Sequence, residues 1–111
     1  MSNFLDDMAS ASARRASESK RLLPLSALER RARETPAAPA LRLSPGGFDV
    51  IAELKLRSPA MGALGEAHDD WLARVSAYAQ GGAAAVSILT EPSRFDGSLE
   101  HLSLAAAPPC A

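Results

Sequence analysis

The sequence has few of the residues that form cross-links, metal sites and large aromatic cores. Its one cysteine, Cys110, has no partner for an internal disulfide. The two histidines and this cysteine do not have the spacing of a zinc site. Aromatic residues make up 5% of the chain, so large apolar anchors are scarce. We therefore expect a protein of a reducing, cytoplasmic setting that holds no metal and no cofactor.

A strong net charge and a long apolar run are also missing. The formal net charge is −1, which gives no indication of a nucleic-acid partner or an acidic membrane surface. No apolar run approaches the roughly 20 residues of a membrane-spanning helix. Asp6 and Asp7 disfavour an organellar transit peptide, because such peptides avoid acidic residues. The sequence thus predicts a protein that binds neither nucleic acid nor membrane.

Residues 1–47 are predicted to form a helical extension followed by a linker. Apolar residues at helical spacing predict a helix over 3–22. Ser26 and Glu29 have the spacing of a capping box, which predicts the start of a second helix that stops before Pro36. The arginines of this second helix alternate with acids, so we interpret them as a solvated face.

The remainder, residues 48–111, has the strand–helix–strand–helix order of a βα unit. The predicted elements are a strand over 48–54, a loop over 58–68, a helix over 70–80, a strand over 83–89 and a helix over 99–106 capped by Ser98. Strands joined through a helix pair in parallel. Both strands are nearly continuous apolar runs, which is typical of parallel sheets covered on both faces. We therefore predict an α/β fold.

The first predicted strand ends in an acid and a base, Glu53 and Lys55. Because side chains alternate along a strand, both leave it on the same face at its carboxyl end. Such ends carry the active sites of α/β sheets and barrels. One interpretation is a simple ion pair at a strand end. The other is a cleft for an anionic substrate, which Ser58 and Gly62 favour because short polar loops offer amides to phosphate or carboxylate.

The second predicted strand is also followed by a polar loop, and the two loops together carry a resemblance. The first block follows the pattern Glu-x-Lys-Arg-x-Ser-Pro-Ser-x-Gly at Glu53, Lys55, Ser58, Pro59 and Gly62, and departs from it at Leu56 and Ala60. The second block follows Ser-x-Leu-Thr-Glu-x-x-x-Phe-x-Gly-Ser at Ser87, Leu89, Thr90, Glu91, Phe95, Gly97 and Ser98. These blocks resemble the start of the indole-3-glycerol-phosphate synthase family.

The resemblance implies the N-terminal part of a (β/α)8 TIM barrel preceded by a helical extension, an incomplete barrel. It implies tryptophan biosynthesis, with 1-(2-carboxyphenylamino)-1-deoxyribulose 5-phosphate converted to indole-3-glycerol phosphate, carbon dioxide and water. The phosphorylated small molecule is the expected partner, and association with other tryptophan-pathway chains is a further expectation. The family's third strand carries a lysine general acid that has no counterpart before Ala111. We therefore expect a truncated, inactive form.

The resemblance also implies roles for six residues. Lys55 would bind the anionic substrate and Glu53 would position the reacting centre, as the catalytic pair. The expected substrate-binding residues are Ser58, Ser87, Glu91 and Phe95, with Phe95 as a wall for the aromatic ring. Glu91 could instead be a structural cap. Two other functions stay open: a different phosphate-binding barrel enzyme, and a non-catalytic interaction module.

Five other residues have ordinary interpretations. His68 and His101 are predicted to lie on the surface, since they have no partner pattern for a metal or a catalytic triad. Trp71 and Tyr78 are predicted to pack the helix over 70–80 onto the sheet. Cys110 has no nearby activating base and is predicted to be unreactive.

Overall fold

The computed structural model describes residues 3–58, 60–64 and 70–107 of the 111-residue chain. The chain divides into two compact units, Met1–Pro39 and Ala40–Ala111. The domain boundary after residue 47 stays a prediction. In the described part of the chain, no helix has the length and apolarity that crossing a bilayer requires.

The first unit contains two helices, of which α1 spans Phe4–Leu22. The side chain of Asn3 accepts a hydrogen bond from the Asp6 amide at 2.8 Å and so caps the first turn. Acids occupy the first turn and bases the last, an order that the helix dipole favours. The helix predicted over 3–22 is confirmed.

The second helix, α2, spans Leu25–Glu34 and begins differently from the prediction. The amides of Ala27 and Leu28 donate to the Pro24 carbonyl, both at 3.0 Å. Ser26 therefore already lies inside the helix, where it cannot take the extended backbone of a capping residue. The predicted capping box is wrong. The arginines of α2 are exposed, as predicted for a solvated face.

The described residues of the second unit form two small sheets and three helices. Its elements are β1 Ile51–Leu54, β2 Arg57–Ser58, β3 Gly62–Ala63, α3 Trp71–Gln80, β4 Ala85–Ile88, α4 Pro92–Phe95 and α5 Leu99–Ala106. The helices predicted over 70–80 and 99–106 are confirmed, with Asp70 and Ser98 as their caps. The strands are shorter than predicted. The short helix α4 was not predicted.

Strands β1 and β4 pair in parallel, with Ile51 beside Ala85 and Leu54 beside Ile88. Helix α3 connects them along the chain and packs against both. The predicted parallel βαβ unit is confirmed. Its pairing places the carboxyl ends of both strands side by side, and the loops that follow them leave from the same edge.

The prediction of a plain loop over 58–68 is wrong for its first part. Strands β2 and β3 form an antiparallel pair, Arg57 with Ala63 and Ser58 with Gly62. Gly62 has a φ of 69°, a left-handed backbone that glycine adopts without strain. This short hairpin extends the chain after β1 into an ordered loop. Residues 65–69 lie outside the described part.

The second unit has little interior. Within residues 3–58, 60–64 and 70–107, Leu54 is the one fully buried apolar side chain, at 2% exposure. Phe48, by contrast, is 87% exposed. Helix α3 is only partly covered, because Trp71 and Val75 are half-buried while Leu72 and Ala79 are exposed. A sheet of two strands with one crossover helix is too small to enclose many side chains, which is why so few of them are buried.

Helices α3 and α5 meet through an aromatic pair. The rings of Trp71 and His101 lie 4.9 Å apart, inclined at 56°. His101 is half-buried, so the prediction that it lies on the surface is wrong. The histidine spacing carried no signal for this contact, which depends on how the two helices pack. His68 and Cys110 lie outside the described residues.

Candidate functional site

The carboxyl ends of β1 and β4 bring residues from distant parts of the chain into contact. Glu53 on β1 lies beside Ser87 on β4 in the strand register. The Ser87 hydroxyl donates a hydrogen bond to Oε2 of Glu53 at 3.1 Å. The carboxylate is thereby oriented by the neighbouring strand, and its other oxygen is free to serve a second partner.

That second partner is the ammonium group of Lys55. Its Nζ lies 3.4 Å from Oε1 of Glu53, so the two side chains meet on one face as alternation predicts. The same Nζ lies 5.7 Å from the centre of the Phe95 ring, within the range of a cation–π contact. Lys55 is 36% exposed and Glu53 44%. The cation is held between an acid and an aromatic ring and still faces solvent.

The loop after β4 places Phe95 in this position. Glu91 precedes α4, and its carboxylate accepts hydrogen bonds from the amides of Ser93 and Arg94, the latter at 2.8 Å. Glu91 therefore acts as the helix cap, the structural alternative that the sequence left open. Its role in substrate binding stays a prediction.

Gly97 closes the same loop. Its amide donates to the Glu91 carbonyl at 2.9 Å. A Cβ atom at this position would lie 2.2 Å from the Leu89 carbonyl oxygen, far inside van der Waals contact. The glycine of the second sequence block is therefore required because a side chain has no space at this position. The next residue, Ser98, accepts a hydrogen bond from the His101 amide at 3.2 Å and starts α5.

Ser58 lies in the hairpin after β1. Its hydroxyl accepts a hydrogen bond from the Met61 amide at 3.1 Å, which ties the turn together. Of the six predicted site residues, four are joined by direct contact: Glu53, Lys55, Ser87 and Phe95. Ser58 and Glu91 stabilise the two loops that flank this group.

Two further residues join these loops and were not among the predicted site residues. Nη1 of Arg57 lies 3.8 Å from Oδ1 of Asp96, and the two side chains are 51% and 52% exposed. Asp96 has a φ of 55°, the left-handed region that few residues other than glycine adopt. The sequence signal for Arg57 was its place beside Leu56, where the family pattern has arginine. Asp96 carried no comparable signal.

The residues present offer charge and hydrogen bonds for an organic anion. Among the residues that the structure describes, no three His, Cys, Asp or Glu side chains form a group able to hold a metal ion. A cation beside an aromatic wall suits a ligand that carries both a negative charge and a flat ring.

Comparison with known proteins relates this site to one enzyme family. The family model described as indole-3-glycerol phosphate synthase matches residues 5–108. The chain is 35% identical over 104 residues to the indole-3-glycerol phosphate synthase of Salinibacter ruber, covering 91% of this chain and 38% of that protein. It is 41% identical over 105 residues to the synthase of Kineococcus radiotolerans, covering 88% and 38%.

A third relative matches a shorter segment of the chain with a higher sequence identity. The synthase of Micrococcus luteus is 51% identical over 67 residues, which cover 60% of this chain and 24% of that protein. The chain therefore spans 24% to 38% of the length of these three relatives. Because the family model matches almost the whole sequence, the chain belongs to the indole-3-glycerol phosphate synthase family.

Proposed function

We propose that these residues form the first two strand ends of an indole-3-glycerol phosphate synthase site at the start of a (β/α)8 barrel. The substrate would be 1-(2-carboxyphenylamino)-1-deoxyribulose 5-phosphate, an intermediate of tryptophan biosynthesis. The observation that carries the proposal is the position of Lys55, held between the Glu53 carboxylate and the Phe95 ring. That arrangement matches a substrate with a carboxylate on an aromatic ring.

Each residue would have a distinct task. Lys55 would attract the substrate's negative charge, and the face of Phe95 would lie against the aromatic ring. Glu53, oriented by Ser87, would position the reacting centre between the ring and the sugar. Ser58 and Glu91, which also hold the two flanking loops through their own hydrogen bonds, would be the further substrate-binding residues.

We further propose that these 111 residues bind the substrate without turning it over. Ring closure with loss of carbon dioxide and water requires an acid at the ketose oxygen and a base for the dehydration. The sequence has two lysines, Lys20 and Lys55, and Lys55 already pairs with Glu53. A second lysine acid at the same strand ends is therefore not supplied by these residues.

The test is binding of the substrate to the purified chain, measured by calorimetry. We expect Lys55→Ala to weaken binding by about tenfold, the effect of losing one charged contact. Lys20→Ala is the matched control, since Lys20 is exposed on α1, and it should bind as the parent does. Equal affinity of the two variants would contradict the proposed site.

Turnover is measured separately by the fluorescence of the indole product. We expect none. Product formation that is abolished by Lys55→Ala would overturn the inactive assignment and keep the site. A different phosphate-binding barrel enzyme would be indicated if ribulose 5-phosphate, which lacks the carboxyphenyl ring, bound as tightly as the full substrate.

Association with another chain is the second candidate function. The observation that favours it is the exposed apolar surface of the second unit, including Phe48, Ile51 and Leu99. Chains of the tryptophan pathway would be the partners. Sedimentation of the chain with a full-length synthase should show a stoichiometric complex, and independent sedimentation of the two would count against this function.

A further inference from the structure

The two loops that flank the candidate site touch at two neighbouring points. At the first, the Phe95 ring lies below the Lys55 ammonium, 5.7 Å from its centre. At the second, the next residue, Asp96, pairs with Arg57 at 3.8 Å. The first contact belongs to the proposed substrate site. The second lies one residue further along and joins α4 to β2, which also pack against each other.

The backbone makes these two contacts dependent on each other. Asp96 stands in the left-handed conformation at the end of α4. On one side, Glu91 caps the helix and fixes its start. On the other side, Gly97 is packed against the Leu89 carbonyl and bonded to the Glu91 carbonyl. A loop closed in this way moves as one body, so a displacement of Asp96 also displaces Phe95.

We propose that Arg57 and Asp96 are positioning residues that hold the loop after β4 against the hairpin after β1, and so keep Phe95 over Lys55. The importance of this ion pair for substrate binding rests on the proposed function, while the pair's effect on Phe95 does not. Arg57 follows Leu56, at which the family pattern has arginine. In this chain the neighbouring position supplies the cation that joins the loops.

Because the Arg57–Asp96 ion pair is exposed, we expect its removal to affect the position of the loop more than the stability of the fold. Both side chains are about half exposed, and ion pairs of this kind contribute little to folding. Salt at about 1 M screens such pairs strongly. Breaking the pair should therefore loosen the loop and leave the fold intact. Its effect should appear at Lys55, two residues from Arg57 along the chain.

The two lysines of the sequence give a direct readout. In a chain labelled with carbon-13 lysine, nuclear magnetic resonance shows Lys55 and Lys20 alone. The Phe95 ring shifts the ε protons of Lys55 relative to those of Lys20, which lies exposed on α1. Phe95→Leu should abolish this difference in shift, and it calibrates the measurement.

The expected result is a partial loss of that difference. Asp96→Asn keeps a residue type that tolerates the left-handed backbone, and Arg57→Gln keeps the length of the side chain. Each should reduce the difference by about half, as should salt at about 1 M in the parent chain. Glu29→Gln removes another exposed ion pair, that with Arg33 at 3.6 Å, and should change nothing.

Three outcomes would overturn the proposal. The first is the parent shift difference in both Asp96→Asn and Arg57→Gln. The second is a shift difference in the parent chain that salt at about 1 M leaves unchanged. The third is unfolding of both single variants, seen in the fluorescence of Trp71, because a positioning pair must be dispensable for the fold. The measurement contains no substrate, so loss of substrate binding with a normal lysine response would reject the proposed function alone.

Discussion

The loops after β1 and β4 leave the same sheet edge and are stabilised in opposite ways. The first folds into a hairpin whose strands pair through their backbones, with a left-handed glycine at Gly62. The second is closed by a side-chain cap at Glu91 and by Gly97, where the neighbouring backbone leaves no space for a side chain. The first loop therefore depends on backbone conformation, and the second on local packing. Substitutions at the two glycines separate these causes.

The largest effect is expected for Gly97→Ala. The new Cβ would meet the Leu89 carbonyl oxygen at 2.2 Å, and backbone must move to relieve the contact. We expect the free energy of unfolding to fall by about 3 kcal/mol, in the range of overpacked sites. Urea denaturation followed by Trp71 fluorescence measures it. Gly47→Ala is the control, since its nearest neighbour is at 3.8 Å, and an equal loss there would refute the packing argument.

A smaller effect is expected for Gly62→Ala. Among the residues that the structure describes, chain neighbours aside, no atom lies within 4 Å of the position a Cβ would take, so the expected loss comes from the left-handed backbone. Such strain amounts to about 1–2 kcal/mol for alanine. Gly62→Asn should lose less, because asparagine tolerates this region. If alanine and asparagine destabilised the chain equally, backbone conformation would not be the cause. The same denaturation measurement applies.

The cap at Glu91 is expected to contribute about 1 kcal/mol to the stability of the second loop. Glu91→Ala removes the acceptor for the Ser93 and Arg94 amides. Glu100→Ala, on the exposed start of α5, is the matched control and should lose only a few tenths of that amount. Denaturation curves of both variants test this. Indistinguishable curves would contradict the role of the carboxylate in stabilising the loop.

The smallest effect on stability is expected for Ser87→Ala. It removes the hydrogen bond to Glu53, worth about 1 kcal/mol or less at this partly exposed position. Substrate affinity should be affected more than folding stability, because Glu53 would lose the hydrogen bond that orients its carboxylate. We expect substrate affinity to fall about threefold, against no change for Ser76→Ala on the exposed face of α3. An unchanged substrate affinity of Ser87→Ala would contradict a role for Ser87 in the site.

Helices and their caps were largely predictable because their rules are local. Ser98 caps the amide three residues ahead, as its position in the sequence indicated, and Asp70 does the same at the start of α3. Ser26 shows where local spacing fails, since the helix is capped at Pro24, two residues earlier than the capping box requires. The hairpin after β1 was missed because each of its strands has two residues, too few for an alternating pattern.

The sequence by itself determined helices α1, α2, α3 and α5, the parallel strand pair and the chemical types of the residues at the two strand ends. The tertiary structure decided which of those residues meet. Glu53 and Ser87 are 34 positions apart, and only the strand register brings them to 3.1 Å. Whether Arg57 reaches Asp96, and Lys55 reaches Phe95, depends on how two loops close over one sheet edge. Contacts of this kind depend on distant residues, and local spacing does not encode them.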